Sequence, residues 1–267
     1  MSSTKFKKLV WAYYRKNGRH TLPWRKTRDP YRILVSEIML QQTQATRVVP
    51  KYEAFLKRFP TIQKLAQAPL SEVLRAWQGL GYNRRAKFLH EAAKAIVKNH
   101  AGRVPRSHSE LVNLPGIGPY TASAVRAFAF NEPDVFIETN IRTAFIHHFF
   151  RGRTGVRDTE LVEVLAQVLP KRKSREWYFA LMDYGSFLKR TEGNASRRSA
   201  HHTKQKPFKG SDREVRGAIL RTLSEKSLTK AQILKLSFPK ARIEKQLMIL
   251  KKEGMVNAEK ALVYLPK

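Results

Sequence analysis

The chain contains no cysteine. That excludes disulfides, thiolate metal sites and cysteine-bound iron–sulfur clusters. Acidic residues are also scarce: 21 Asp and Glu stand against 52 Lys and Arg, a formal net charge of +31. Such an excess attracts polyanions, and salt weakens that attraction. No apolar run is long enough to span a bilayer, and the opening MSSTKFKKLVWAYYRKNGRH lacks the apolar centre of a secretory signal. The expected setting is therefore the cytoplasm or the nucleoid, without a membrane partner. Strand-like alternation is scarce over roughly the first two thirds of the chain, and no internal repeat is present. A length of 267 residues allows one large domain or two.

What is present is helix after helix. Val35, Ile38, Met39, Val48, Val49, Tyr52, Phe55 and Leu56 recur at helical spacing. A short linker helix is expected within 60–70, a helix capped by Ser71 and running to Trp77, and an amphipathic helix over 84–99. Two more are expected over 158–168 and 174–190. Lys189–Arg213 is polar and basic with almost no apolar anchors, which suits a linker or a loosely packed basic loop. Beyond it, Val215, Ile219, Leu220 and Leu223 mark one helix, Thr229 caps a second, and Ile243, Leu247 and Leu250 mark a third that Gly254 ends. Two short strands, 255–258 and 261–265, are expected around a Glu259-Lys260 turn. Three helices and such a hairpin describe a winged helix. This module binds either nucleic acid or a protein; Arg242, Lys245, Lys251 and Lys252 on the third helix favour nucleic acid.

The most informative stretch is 109–140. Leu114-Pro115-Gly116-Ile117-Gly118 puts two glycines around one apolar residue, so the backbone has positive φ available at both. A helix is expected to start at about Pro119, a residue favoured in a first turn. A helix N-terminus behind a glycine turn offers N–H groups to an anion, and a DNA phosphate fits that role.

Four motifs occur in order: LPWR at 22–25, SEIMLQQTQ at 36–44, GLGY at 79–82 and LPGIGPYT at 114–121. On these, roughly Leu22 to Lys189 resembles the helix-hairpin-helix DNA glycosylases, above all the MutY-type adenine glycosylases. The resemblance implies an all-helical domain of two lobes over 1–188. With the reading above, a basic linker follows over 189–211 and a small α+β winged-helix domain over 212–267. It also implies a monofunctional base-excision enzyme acting as a monomer on duplex DNA with a mispaired or damaged base.

Residue roles follow from that likeness and from chemistry. Glu37 lies between Val35 and Ile38, so it is drawn toward apolar surroundings. There a carboxyl keeps its proton and acts as a general acid on the leaving purine. Glu138, in FIETN, is the second carboxylate, placed to stabilise positive charge on the sugar. The simpler alternative is that it merely caps a helix that starts at Asn140 or Ile141. The family normally has aspartate there. One extra methylene moves the charge by roughly 1–1.5 Å, the scale on which catalysis is lost. Tyr120 stands where bifunctional relatives carry a lysine nucleophile, and a phenol forms no Schiff base. Asn140 is implied to orient the carboxylates and Arg25 to line the base pocket. Gln41, Gln42 and Tyr82 are implied to fill the gap that a flipped base leaves. Leu114, Gly116, Ile117 and Gly118 form the phosphate clamp.

Two departures bear on substrate. The family's iron–sulfur ligands would follow Gly185-Ser186-Phe187, where Leu188-Lys189-Arg190 stands. The module that many MutY enzymes use to read 8-oxoguanine is replaced by the winged helix. No cofactor is expected, and no metal either: adjacent histidines such as His147 and His148 point about 100° apart on a helix. Excision of adenine opposite 8-oxoguanine or guanine is the expected activity. The alternatives are a thymine or uracil mismatch glycosylase, or a non-catalytic lesion-binding protein.

Overall fold

The computed structural model describes residues 1–204 and 207–267; Gln205 and Lys206, within the basic 189–211 stretch, lie outside the described residues. Helices α1 (Ser3–Asn17), α2 (Pro30–Leu40), α3 (Ala45–Arg58), α4 (Ile62–Gln67), α5 (Leu70–Ala76) and α6 (Arg84–Asn99) come first. The hairpin follows as α7 (His108–Val112) and α8 (Pro119–Phe130), then α9 (Thr139–Phe149), α10 (Asp158–Val168) and α11 (Ser174–Thr191). The last stretch holds α12 (Asp212–Glu225), β1 (Leu228–Thr229), α13 (Lys230–Ile233), α14 (Lys240–Lys252), β2 (Asn257–Glu259) and β3 (Leu262–Tyr264). Short 3-10 turns lie at Pro23–Arg25 and Ala195–Arg198.

Local chemistry explains most boundaries. On α6, Leu89, Ala92, Ala93 and Ile96 are buried at helical spacing. Proline occupies the first position of α8, and Asn131, at φ 60°, ends it in the left-handed region. Thr229 and Gln232 form a reciprocal capping box at α13. One expected cap fails. Pro69, not Ser71, precedes the first residue of α5; Ser71 is buried, and its N–H donates to the Pro266 carbonyl at 2.9 Å. A partner nearly 200 residues away thus overrides a local capping preference. The strands are shorter and later than the pattern suggested, because Met255 and Val256 are spent as buried anchors. The three strands form an antiparallel sheet in the order β1-β3-β2, and Lys260 takes the left-handed turn position at φ 54°.

Packing divides the chain into two units that do not follow chain order. The first comprises Met1–Glu37, Arg106–Val112 and Ile117–Lys204; the second comprises Ile38–Pro105, Asn113–Gly116 and Gln205–Lys267. In the first, α9 and α11 pack closely, and Phe6 meets Phe145, Phe149, Trp177 and Tyr184 ring to ring. In the second, Trp77 stands edge-on to Phe55, with Leu65, Leu74 and Leu89 buried. There α12 packs on both α5 and α14. The Arg75 Nε donates to the Ser224 carbonyl at 2.8 Å, fixing that contact.

Candidate active site

The first unit places three of the expected groups under apolar cover. Glu37, on α2, is only 7% exposed. Burial, with the negative charge of Glu138 adding to it, pushes its carboxyl up to about 8. Tyr120, in the first turn of α8, is half-buried, and its ring meets Phe136 edge-on at 5.5 Å. Burial, then Glu37 and Glu138, hold its hydroxyl well above the ordinary phenol range, so it stays neutral.

Glu138 does what the simpler reading allowed: it caps α9. Its carboxylate accepts from the Asn140 N–H at 2.7 Å, from the Ile141 N–H at 3.4 Å and from the Asn140 side-chain amide at 2.8 Å. Burial still raises it, but these N–H donors and the positive charges of Arg142 and Arg19 oppose the rise. Both carboxyls are raised by burial, but their surroundings differ: Glu37 also feels the negative charge of Glu138, whereas Glu138 has donors and cations that favour its charged form and oppose the rise. Capping and catalysis are therefore compatible tasks for Glu138, because the cap supplies the donors.

A second polar cluster was not anticipated. Asp183, on α11 with a side chain 2% exposed, accepts from Arg25 at 2.6 and 2.9 Å and from Arg19 through its N–H at 2.8 Å and its Nε at 2.6 Å. Burial raises the Asp183 carboxyl, yet hydrogen bonds and charge from Arg25, with Arg19 behind them, bring it below the usual range. Arg25 also lies over the Phe179 ring at 4.5 Å. Its guanidinium is thus locked in a two-point clamp. One signal was available: Asp183 is the only acid in the apolar run FALMDYG.

In the second unit the expected reading residues lie on two loops. Gln41 and Gln42 follow α2, and Gln42 is left-handed at φ 53°. Tyr82 closes the Gly79-Leu80-Gly81-Tyr82 loop at φ 48°, behind Gly79 at 91° and Gly81 at 72°. One side chain holds both loops. The Arg85 guanidinium donates to the carbonyls of Ile38 at 2.9 Å, Met39 at 3.0 Å, Gln41, Leu80 at 3.2 Å and Gly81 at 3.1 Å, and to Thr43 Oγ1 at 3.1 Å. Burial lowers its pKa to about 10, which leaves it charged at neutral pH.

The hairpin turn corrects one expectation. Gly116 uses the left-handed region, at φ 72°, and a Cβ there would collide with Phe88 of α6. Gly118 does not: at φ −86° and ψ 173° it is extended and serves as the N-cap of α8, with open space around its Cα. Leu114 and Ile117 are buried and anchor the turn, while both glycines are exposed. His148 contacts the Tyr184 hydroxyl at 2.7 Å within an aromatic cluster. Among the described residues no group of His, Asp and Glu has the arrangement of a metal site.

Comparison with known proteins places this architecture. The chain is 36% identical over 240 residues to an adenine DNA glycosylase of Mycolicibacterium smegmatis, covering 81% of this chain and 80% of that protein. It is 35% identical over 189 residues to one from Buchnera aphidicola, covering 70% of this chain; it spans about half, 54%, of that relative's length. Among solved structures, a thermostable thymine-DNA glycosylase superposes with a TM-score of 0.62 at 30% identity, over 69% of this chain and 86% of that one. A family model described as HhH-GPD superfamily base excision DNA repair protein matches residues 35–237, and this chain belongs to that superfamily.

Proposed function

We propose that this chain hydrolyses the N-glycosidic bond of a mispaired base in duplex DNA, and that the base is adenine opposite 8-oxoguanine or guanine. The observation that carries this is the division of labour between Glu37, raised to about 8, and Glu138, held by three donors. Glu37 gives its proton to a ring nitrogen of the leaving base as the bond to the sugar breaks. The positive charge that develops on the sugar is met by the Glu138 carboxylate, whose orientation Asn140 fixes. Water then adds its hydroxyl to the sugar carbon and gives up its proton to the Glu37 carboxylate, which restores the acid, and an abasic site remains. Tyr120 has no amine to form a Schiff base, so the strand is not cut by that route. No cofactor enters any step. Arg25, clamped by Asp183, serves the base pocket.

DNA is engaged by the basic surface as a whole, and by the Leu114–Gly118 turn at the N-terminus of α8. Gln41, Gln42 and Tyr82 occupy the space that the flipped base vacates. In domain terms, 1–188 carries the chemistry, 189–211 is a basic connection and 212–267 is a winged helix. The helices α12–α14 and the β1-β3-β2 sheet support that last reading. We assign the module added phosphate contacts, in a monomer that works on nucleoid DNA.

Removal of thymine opposite guanine is the second reading, favoured by the likeness to the thymine-DNA glycosylase structure. One panel separates the two. Labelled duplexes, each with a single mispair, are incubated with enzyme and then heated in alkali. Breaks confined to adenine mispairs support the first reading, breaks at thymine the second, and none anywhere removes the enzymatic proposal. A parallel borohydride arm should trap no covalent adduct.

A further inference from the structure

The Tyr82 loop is gripped from the far end of the chain. Arg213, in the first turn of α12, donates from Nη1 to the Tyr82 hydroxyl at 2.5 Å. Its guanidinium carbon also lies 5.2 Å from the centre of the Tyr82 ring. The guanidinium of Arg85 lies over the same ring at 5.4 Å. Tyr82 is therefore an aromatic held by two cations, one from α6, which follows its loop, and one from α12. It is also half-buried and left-handed, a conformation that a non-glycine residue keeps only when its surroundings impose it.

Nearby contacts run the same way. Arg84, at the head of α6, faces Glu253 at 3.7 Å, and Arg216 of α12 pairs with that same Glu253 at 2.5 Å. Arg75 donates to the Ser224 carbonyl, and the Ser71 N–H to the Pro266 carbonyl. Residues before and after the Tyr82 loop are thus both pinned to the 212–267 segment. Arg213 is the one among these contacts that reaches the loop's own aromatic side chain.

We propose that Arg213 is a positioning residue for Tyr82, through which the 212–267 segment sets discrimination between mispaired and matched DNA. The inference rests on the reading that Tyr82 probes the duplex at the mispair. A ring that must enter or press against a base stack loses rotamer freedom when it does so. Fixing the ring beforehand removes that loss from binding. The hydroxyl bond and the cation–ring contact together set both the tilt and the swing of the ring. A phosphate contact made by Arg213 alone would raise affinity for every duplex equally. Positioning Tyr82 raises it for the mispair in particular.

The test measures binding of the full chain to mispaired and matched duplexes of one sequence, at one salt concentration. A 2-aminopurine beside the mispair reports unstacking. Arg213→Ala is expected to reduce the mispaired-to-matched affinity ratio by about two- to tenfold, the size of ordering one side chain. It should also reduce the 2-aminopurine signal, and raise the half-saturating enzyme concentration for excision by more than it lowers the saturated rate. Arg221→Ala removes an equal charge from an exposed position on α12 and should weaken both duplexes alike. Arg213→Gln keeps a donor for the hydroxyl and should restore part of the ratio. In a Tyr82→Phe background, Arg213→Ala should cost less than in the wild type, since the hydroxyl acceptor is gone and only the cation–ring contact is left to lose.

If Arg213→Ala, folded by its melting curve, keeps the full ratio while Tyr82→Ala loses it, the positioning role is wrong and Tyr82 keeps its task. An increase in the ratio means that Arg213 restrains Tyr82 instead, which also overturns the inference. If Tyr82→Ala leaves the ratio and the fluorescence intact, the probing role of Tyr82 falls, and this inference falls with it. Should Arg213→Ala not fold, the Gln and Tyr82→Phe variants carry the same comparison.

Discussion

In the first unit the decisive polar groups are carboxyls under apolar cover, whereas in the second they are backbone carbonyls gathered around one guanidinium. Glu37, Glu138 and Asp183 are the carboxyls; two are raised by burial and one is pulled down by arginines. Arg85 meets five carbonyls and a hydroxyl, from the end of α2 and from the Gln41–Thr43 and Gly79–Tyr82 loops. On the proposed reading, bond breaking needs a group whose proton affinity is far from its value in water, and burial together with neighbouring charge supplies that. On the same reading, base recognition needs side chains near the surface in unusual backbone conformations. Such loops carry little packing of their own, so they are held by a rigid hydrogen-bonding hub.

Substitutions that separate the two units test this contrast. The largest effect is expected at Glu37. Glu37→Gln keeps the shape and removes the proton, so the single-turnover excision rate should fall by on the order of 10² or more. Duplex binding, which rests mainly on phosphates, should hold. In the wild type the acid is needed in its protonated form. The rate should therefore be level below about 8 and decline as pH rises through that value. A Glu37→Gln enzyme within a few-fold of wild type, or a rate that climbs through pH 8, would take Glu37 out of the acid role.

Next comes Arg85→Ala. It leaves buried carbonyls on two loops without their donor, at a cost of about 3 kcal/mol or more in unfolding free energy. Denaturant midpoints measure that loss, and mispair discrimination should fall with it. A variant as stable as wild type with intact discrimination means that the loops hold themselves.

A smaller effect runs the opposite way. The Glu37 carboxyl is raised in the folded state, so between its ordinary value and about 8 the folded chain holds a proton that the unfolded chain releases. Folding is then penalised increasingly as pH rises across that window. Glu37→Gln should melt higher than wild type by about a few degrees at pH 8, and by less near pH 5. Scanning calorimetry at both values checks the sign. A variant less stable at pH 8 means that the carboxyl has partners that repay its burial.

The smallest effect belongs to the exposed face of α14. Lys251→Ser with Lys252→Ser removes two exposed cations. If both touch phosphates, the slope of log affinity against log salt falls by roughly 1.8. An unchanged slope directs this module toward a protein partner. Deleting the module is a poorer experiment, because α12 packs on α5 and the deletion would uncover that helix.

By itself the sequence determined what depends on near neighbours. Helix α6 spans the stretch its apolar spacing marked, α8 begins at Pro119, and Thr229 caps α13, because periodicity and capping act within a few residues. Composition set the charge, and four short motifs set the family. The tertiary structure alone decided what depends on distant partners. Val35 and Ile38 put Glu37 on an apolar face, but how far its carboxyl rises is set by burial in the folded unit and by Glu138, a hundred residues on. The clamp on Arg25 comes from Asp183, at a separation of 158 residues. The Ser71 N–H was taken by Pro266, Gly118 proved extended while Gly116 turned left-handed against Phe88, and Tyr82 was met by Arg213 across 131 residues. A local pattern specifies the element that carries a side chain. Which charge, donor or ring meets that side chain is fixed only when elements far apart in the chain pack together.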